Sequence, residues 1–213
     1  MKIQVWDKVV RFCHWGIVIL LPLCWWSGEE GEMEWHQTFA YLLLALVVTR
    51  VIWGLIGSDT ARFSHFIQSP RQVFGYLRQW PSQRTPHVGH NPAGAYAVLL
   101  ILTLLSVQLT TGLFATDDIL TEGPLYSAVS SDTASWMTWL HKLNFNLILA
   151  AVALHLTALL AYRLKGVKLV GSMITGYRKG PESAPKVAST APAWVVLLVL
   201  LAGLGWGLIW PLW

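Results

Sequence analysis

The sequence predicts an all-α membrane protein, and its composition and apolar stretches indicate this class. Of the 213 residues, 54% are hydrophobic and only 12% are charged, about half the charged share of soluble domains. Five apolar stretches run at roughly 9–27, 36–57, 94–115, 137–162 and 193–213. Each is long enough to cross about 30 Å of hydrocarbon as a helix, the form in which a segment satisfies its own backbone polar groups in lipid. We therefore expect a multi-pass protein surrounded by membrane lipid.

The first stretch is predicted to be a retained helix rather than a signal peptide. Lys2, Lys8 and Arg11 precede it, as in a signal peptide, but no small-residue cleavage site follows. The apolar run instead continues through Trp25 and Trp26 into an acidic segment.

Charge alternates between successive connections and predicts the orientation. The basic residues lie before the first stretch, after the second and after the fourth: Lys2, Lys8, Arg11, Arg62, Arg71, Arg78, Arg84, Arg163, Lys165, Lys168, Arg178, Lys179 and Lys186. The acidic residues lie in the other connections: Glu29, Glu30, Glu32, Glu34, Asp117, Asp118, Glu122 and Asp132. Lysine and arginine favour the cytoplasmic side. We expect a bacterial inner-membrane protein with a cytoplasmic N-terminus and a periplasmic C-terminus, and no nucleic-acid partner.

Two connecting segments have their own signals. Residues 70–80 mix aromatic and basic side chains and predict a short helix at the headgroup level. Residues 181–192 contain three prolines and predict a flexible linker. The expected organisation is a four-helix domain at 1–180, the linker, and an additional transmembrane helix at 193–213.

Four of the seven histidines fall within or at the mouth of the predicted helices, where an ionisable side chain is costly and points to function. His141 and His155 are fourteen residues apart on the fourth helix, so they share a face and lie about 21 Å apart. One metal ion cannot bind both. Because successive helices run in opposite directions, the depth of each histidine in the membrane can be estimated. His14 and His155 should lie at a similar depth near the cytoplasm, and His36 and His141 at a similar depth near the periplasm.

Two histidines per layer favour haem over zinc. Zinc needs three or four protein ligands, whereas a haem brings its own four equatorial nitrogens and uses two axial histidines. The cysteines, Cys13 and Cys24, are too far apart on one helix to pair and form no Cys-x-x-Cys-His motif. We therefore expect non-covalent b-type haem. The ordinary alternative for each histidine alone is a hydrogen-bonded or hydrated side chain.

The remaining histidines and several basic residues carry weaker expectations. His65, His87 and His90 are expected to be solvated or to face headgroups, with a quinone site as the open alternative. Arg11, Arg50, Arg163 and Lys142 could pair with haem propionates or extend to the interface.

Several segments together resemble the bacterial cytochrome b561 family, which is related to the cytochrome b subunits of nickel-iron hydrogenases. They are Arg11-Phe12-Cys13-His14-Trp15, His36 at the start of the second helix, the His141/His155 spacing, Gly89-His90-Asn91-Pro92-Ala93-Gly94 and Thr111-Gly112-Leu113-Phe114. The resemblance covers about residues 3–180. It implies two b haems on His14, His36, His141 and His155, and electron exchange with a quinone pool.

The leading hypothesis is a four-helix di-haem bundle, with a fifth helix, that transfers electrons between membrane quinone and a periplasmic redox partner such as a c-type cytochrome. Alternatives are a membrane anchor for a hydrogenase-type complex and a superoxide:quinone oxidoreductase, so enzymatic activity stays open. A transporter ranks last, because the third helix has few polar residues.

Overall fold

A computed structural model describes residues 2–80, 87–117, 119–179 and 184–213. In these ranges the α-helices are α1 (Lys8–Glu29), α2 (Met33–Ile56), α3 (Phe63–Phe66), α4 (Pro70–Gln79), α5 (Pro92–Gly112), α6 (Ser131–Leu164), α7 (Leu169–Thr175) and α8 (Ala191–Leu204), and a short 3-10 helix spans Tyr126–Ala128. Helix α8 continues through a π-helical turn, Gly205–Ile209, and a 3-10 turn, Trp210–Leu212. Five helices of the described ranges, α1, α2, α5, α6 and α8 with its extension, are long and apolar enough to cross a membrane. The predicted fold class, an all-α membrane protein, is confirmed.

Three of the long helices, α1, α5 and α6, begin at side chains that cap their first turn. Asp7 accepts a hydrogen bond from the Val10 amide at 2.8 Å, and Asn91 accepts one from the Gly94 amide at 2.8 Å. Ser130 caps α6, which starts six residues before the predicted apolar stretch. These polar side chains satisfy amides that have no partner within the helix, so each helix begins in the polar connection rather than at the edge of the apolar run.

Helices α1, α2, α5 and α6 form a bundle. Helix α1 packs mainly on α2, α5 packs on α6, and α2 contacts α5. Their shared core includes Cys24, Leu43, Leu105 and Ile148. Because lipid tails are as apolar as leucine, close packing rather than water exclusion holds such helices together. The bundle places histidine-bearing faces of α1 and α2 toward α6.

The two ends of the bundle differ in charge. The α1–α2 and α5–α6 connections lie at one end, where the Gln37 side chain bonds the Glu122 carbonyl at 3.4 Å, and we call this the acidic end. The opposite end carries Lys8 and Arg163 and is called the basic end.

A small sheet closes the basic end. Strand β1 (Lys2–Gln4) pairs antiparallel with β2 (Tyr177–Lys179), which follows α7. Gly176, between α7 and β2, adopts a left-handed φ of 85°. Its carbonyl accepts hydrogen bonds from the amides of Val5 and Trp6. A Cβ at Gly176 would lie 2.8 Å from the Trp6 carbonyl oxygen, so glycine is required at this turn.

The short helix predicted at 70–80 is present as α4. Ser69 and Gln72 form a reciprocal capping box at its start, and Pro70 occupies the first turn. Tyr76 is buried, whereas Phe74 is 71% exposed. Helix α4 therefore presents an apolar face away from the protein, which suits a lipid surface.

Helix α8 packs against the bundle along α2. Leu197 forms a core with Ala45 and Leu46, and at the acidic end the Trp213 indole donates to Thr38 Oγ1 at 3.3 Å. Because Ala45 has a small side chain, α2 and α8 can approach closely at this contact.

The connection to α8 is held in place. The Lys186 amide donates to the Asp59 carboxylate at 2.9 Å, the Asp59 amide donates to the Lys186 carbonyl at 3.0 Å, and the Ala188 amide donates to Ser58. The expectation of a flexible linker is wrong for residues 186–188, because bonds to the α2–α3 loop replace water there. Residues 180–183 lie outside the described ranges, and the division at 180 stays a prediction.

Candidate functional site

The four histidines predicted to act together lie on three helices. His14 is on α1, His36 on α2, and both His141 and His155 on α6, which runs without a break between them. Fourteen residues of continuous helix separate the last two by about 21 Å. The candidate site is therefore divided into two centres along one helix.

At the acidic end, the structure brings His36 and His141 together. Their ring centroids are 6.3 Å apart and their planes cross at 73°. Two imidazoles bound to opposite sides of one metal ion, with metal–nitrogen bonds of about 2 Å, would have ring centres about 6 Å apart. The spacing of this pair fits a single metal ion between the rings.

Backbone carbonyls orient both rings of this pair. His36 Nδ1 lies 2.8 Å from the Cys24 carbonyl oxygen, and His141 Nδ1 lies 2.9 Å from the Gln108 carbonyl oxygen. A carbonyl can only accept, so each Nδ1 carries the proton and donates it. Each Nε2 is then left with its lone pair, the arrangement that metal-binding histidines use.

A glycine makes room for each ring. A Cβ on Gly28 would lie 3.0 Å from His36 Nδ1, and a Cβ on Gly112 would lie 3.0 Å from His141 Cε1. Each glycine follows the residue whose carbonyl accepts the bond, Cys24 or Gln108, by four positions. In each case one helical turn supplies both the carbonyl that accepts the Nδ1–H bond and the glycine that leaves space for the ring. This arrangement occurs on α1 for His36 and on α5 for His141.

At the basic end, His14 on α1 and His155 on α6 lie near each other. The His14 ring also contacts Trp15, with centroids 5.0 Å apart. Its Nδ1 is buried and has no hydrogen-bond partner among the described residues. A buried polar atom without a partner is costly, so the basic-end pair differs from the acidic-end pair, where backbone carbonyls satisfy Nδ1 of both rings.

No cluster of three or more histidine, cysteine, aspartate or glutamate side chains suited to a metal ion occurs within the described residues. A zinc site of ordinary composition is therefore not formed by that part of the chain. The two-histidine centres fit haem, which contributes its own equatorial nitrogens. The role of these histidines as ligands stays a prediction.

A buried polar group beside His141 was not predicted. Asn144 is 2% exposed, and its amide donates to the Gln108 side-chain oxygen at 2.7 Å and to the Leu104 carbonyl at 2.9 Å. Thr111 Oγ1 lies 3.2 Å from His141 Nδ1. The sequence does show that Asn144 lies about one helical turn after His141, on the same face of α6. It does not show that the hydrogen-bond partners of Asn144 come from α5.

Two of the other histidines are exposed, and one is not. His65 and His87 are exposed, as expected. The expectation was wrong for His90, whose ring packs on Trp6 and Phe66 with centroids 4.7 and 4.4 Å away. Burial, reinforced by the Arg50 guanidinium, lowers the pKa of His90 to about 3. The sequence could not show that three separate elements enclose this ring.

The basic residues considered as propionate partners separate into two groups. Arg11 donates to the carbonyls of Met173 and Ile174. Arg50 is buried, bonds the Ala61 carbonyl at 3.4 Å and lies over the Phe63 ring. These two have protein partners, whereas Arg163 and Lys142 are exposed.

Comparison with known proteins decides the family. The model of the family described as prokaryotic cytochrome b561 matches residues 5–176. The chain belongs to the prokaryotic cytochrome b561 family. Like other members, it is a membrane b-type cytochrome that binds haem b and transfers electrons.

A curated relative supports this assignment. A Bradyrhizobium diazoefficiens protein named "Probable Ni/Fe-hydrogenase B-type cytochrome subunit" is 24% identical over 220 aligned positions, covering 83% of this cytochrome and 86% of the relative. No solved structure matches this b561-family chain.

Proposed function

We propose that this cytochrome holds two b haems, one at each histidine pair, and carries electrons across the inner membrane between the quinone pool and a periplasmic redox protein. The observation that carries the proposal is the division of the four histidines into two pairs along α6. The ring centroids of His36 and His141 are 6.3 Å apart, and His14 lies near His155.

The protein's contribution is to hold and orient the imidazoles. Bonds from Nδ1 to the Cys24 and Gln108 carbonyls fix the rings of the acidic-end pair. Haem b bound at each pair would supply an iron that gains and loses one electron. Both pairs share the continuous helix α6, which sets the separation of the two centres along the bundle.

Charge supports the orientation. The described part of the basic end exposes Lys8, Lys168 and Arg163, which favours the cytoplasmic side. The acidic end then faces the periplasm, and the His36–His141 pair is the centre nearer a soluble periplasmic partner. Quinone would exchange electrons from within the membrane.

A second candidate is a membrane anchor for a hydrogenase-type complex, which the name of the curated relative favours. In this case the electron donor is a bound enzyme rather than a diffusing protein. Co-purification with large nickel and iron-sulfur subunits would support it.

Oxidation of superoxide at the acidic end is less well supported. Superoxide is an anion, and a positive field would be needed to attract it. The connections at this end contain eight acidic residues and no lysine or arginine, so they repel an anionic substrate.

Haem analysis tests the proposal most directly. We expect pyridine-haemochrome spectra to give two b haems per chain, acid-acetone to extract both, and a short-tail quinol to reduce them in nanodiscs. One haem per chain, or haem retained after extraction, would contradict the two-centre proposal. Two haems that no quinol reduces would contradict only the quinone step.

A further inference from the structure

The acidic end exposes two large aliphatic side chains at the tip of one loop. Ile119 is 82% exposed and Leu120 is 92% exposed. They lie in the connection between α5 and α6. Adjacent aliphatic side chains this exposed are unfavourable in water, and such exposure on a polar surface commonly marks an interaction site.

The loop is built to present this tip. One carboxylate oxygen of Asp117 accepts bonds from the amides of Ile119, Leu120 and Thr121 at 2.9, 2.9 and 2.8 Å. These bonds stabilise the ionised carboxylate and lower the pKa of Asp117 to about 2. Below the tip, Thr116 pairs with Glu122 in a β-bridge. The backbone therefore directs the two side chains outward.

The base of the loop contacts the neighbours of both acidic-end histidines. The Thr116 amide donates to Thr138 Oγ1 at 3.0 Å, and Thr138 lies three residues before His141 on α6. The Gln37 side chain, next to His36, donates to the Glu122 carbonyl. A protein bound at the tip would thus lie at the same end of the bundle as the His36–His141 pair.

Charge indicates which partner fits. The sequence places Asp117 and Asp118 directly before the tip and Glu122 just after it, with no lysine or arginine between residues 113 and 131; Asp118 lies outside the described residues. Carboxylates are costly to move into hydrocarbon, which opposes insertion of the tip into the bilayer. An apolar centre with a charged rim instead has the anatomy of a protein interface.

We propose that the Ile119–Leu120 tip is the apolar centre of a docking surface for a soluble redox protein that carries basic residues around its own apolar patch. The proposal rests on the proposed function, because it requires a diffusing partner at the His36–His141 end. The acidic rim increases the encounter rate, and burial of the two aliphatic side chains slows dissociation.

The test uses the full haem-loaded cytochrome in nanodiscs of neutral lipid, with a basic cytochrome c whose haem edge is ringed by lysines as the probe. We expect Ile119→Ser with Leu120→Ser to raise the Kd at least about tenfold, at low salt and at 0.15 M alike, because the loss is apolar. Glu122→Gln should instead weaken binding at low salt only, where charges are poorly screened. The pair Leu77→Ser and Ile174→Ser, exposed on α4 and α7, is the matched control and should bind like wild type.

A labelled variant locates the tip. Cys13 and Cys24 are buried, so a fluorophore on Leu120→Cys should report this position alone. We expect acrylamide to quench it in nanodiscs and the probe cytochrome to protect it.

Three results would overturn the docking proposal. The first is a double-serine variant that binds as tightly as wild type, while wild type exchanges electrons in a salt-dependent way; this leaves the proposed function intact. The second is protection of the label by lipid alone, which would place the tip in the bilayer. The third is no electron exchange by wild type at any salt concentration, which would remove both the docking surface and the proposed periplasmic partner.

Discussion

Gly28 and Gly112 determine how closely two helices can approach an imidazole. Each lies one turn beyond a carbonyl that accepts a histidine Nδ1–H bond, and each would place a Cβ 3.0 Å from that ring. A side chain at either position must push the ring away from its acceptor. Since groups behind a metal-bound histidine set its orientation and basicity, these glycines act on the metal centre without touching it.

Gly112→Val tests this arrangement at the residue scale. We expect the His36–His141 haem to be lost or bound at least about tenfold more weakly, because altered support of a ligand typically costs 10–100-fold in metal affinity. Gly112→Ala should give a smaller loss. The measurements are the haem-to-protein ratio and a redox titration.

Gly203→Val is the matched control, since Gly203 has open space around it in α8. Full haem content in Gly112→Val would show that the ring has another stable position. Loss of both haems would point to a folding defect instead.

At the scale of elements, three segments from distant parts of the sequence meet on the His90 ring. Trp6 precedes α1, Phe66 ends α3, and His90 precedes α5. The contacts join the N-terminal segment to the α2–α5 connection. The His90 imidazole supports this packing only in its uncharged form, because a buried imidazolium is costly.

The pKa of His90 predicts a specific pH dependence. The folded value of about 3 lies below the ordinary 6.5, so the folded state takes up a proton less readily than the unfolded chain. The associated stability is complete above pH 6.5 and is lost progressively as pH falls toward 3, by at most about 1.4 kcal/mol per pH unit. We expect the melting temperature of the detergent-solubilised protein to fall between pH 7.5 and 5.

His90→Phe should keep the ring packing. The melting temperature should then fall less between pH 7.5 and 5, because unfolding of this variant no longer exposes a histidine that takes up a proton. A His90→Phe profile that parallels the wild type would refute the assignment.

At the scale of the whole molecule, the bundle separates two chemically similar centres. Helix α6 carries one histidine of each pair, and α1 and α2 each supply one partner. Because the partners come from different helices, removal of one histidine should affect one centre only.

Single alanine substitutions test the separation. His36→Ala or His141→Ala should remove the haem at the acidic end, and His14→Ala or His155→Ala the haem at the basic end. Each variant should retain one haem, with one of the two reduction steps missing from its redox titration. If His14→Ala and His36→Ala removed the same step, the pairing would be wrong. His65→Ala, at an exposed position of α3, should retain both haems.

Much of the architecture could be predicted from the sequence because bilayer physics constrains it. A segment that crosses hydrocarbon must be long, apolar and helical, so the five spans and the helix at Pro70–Gln79 follow from local composition. Depth along a helix is proportional to residue number, which is why His14, His36, His141 and His155 could be paired before their contacts were known.

Tertiary structure decided the features that depend on contacts between distant segments. The enclosure of His90, the bonds that hold Lys186 to Asp59, and the bond between Asn144 and Gln108 each join residues from different elements. The same holds for the glycines behind His36 and His141. Hydropathy and spacing report how deep a residue lies along its own helix. They do not report which neighbouring helix it faces, because that depends on helix rotation and packing, and both are set by the whole bundle at once.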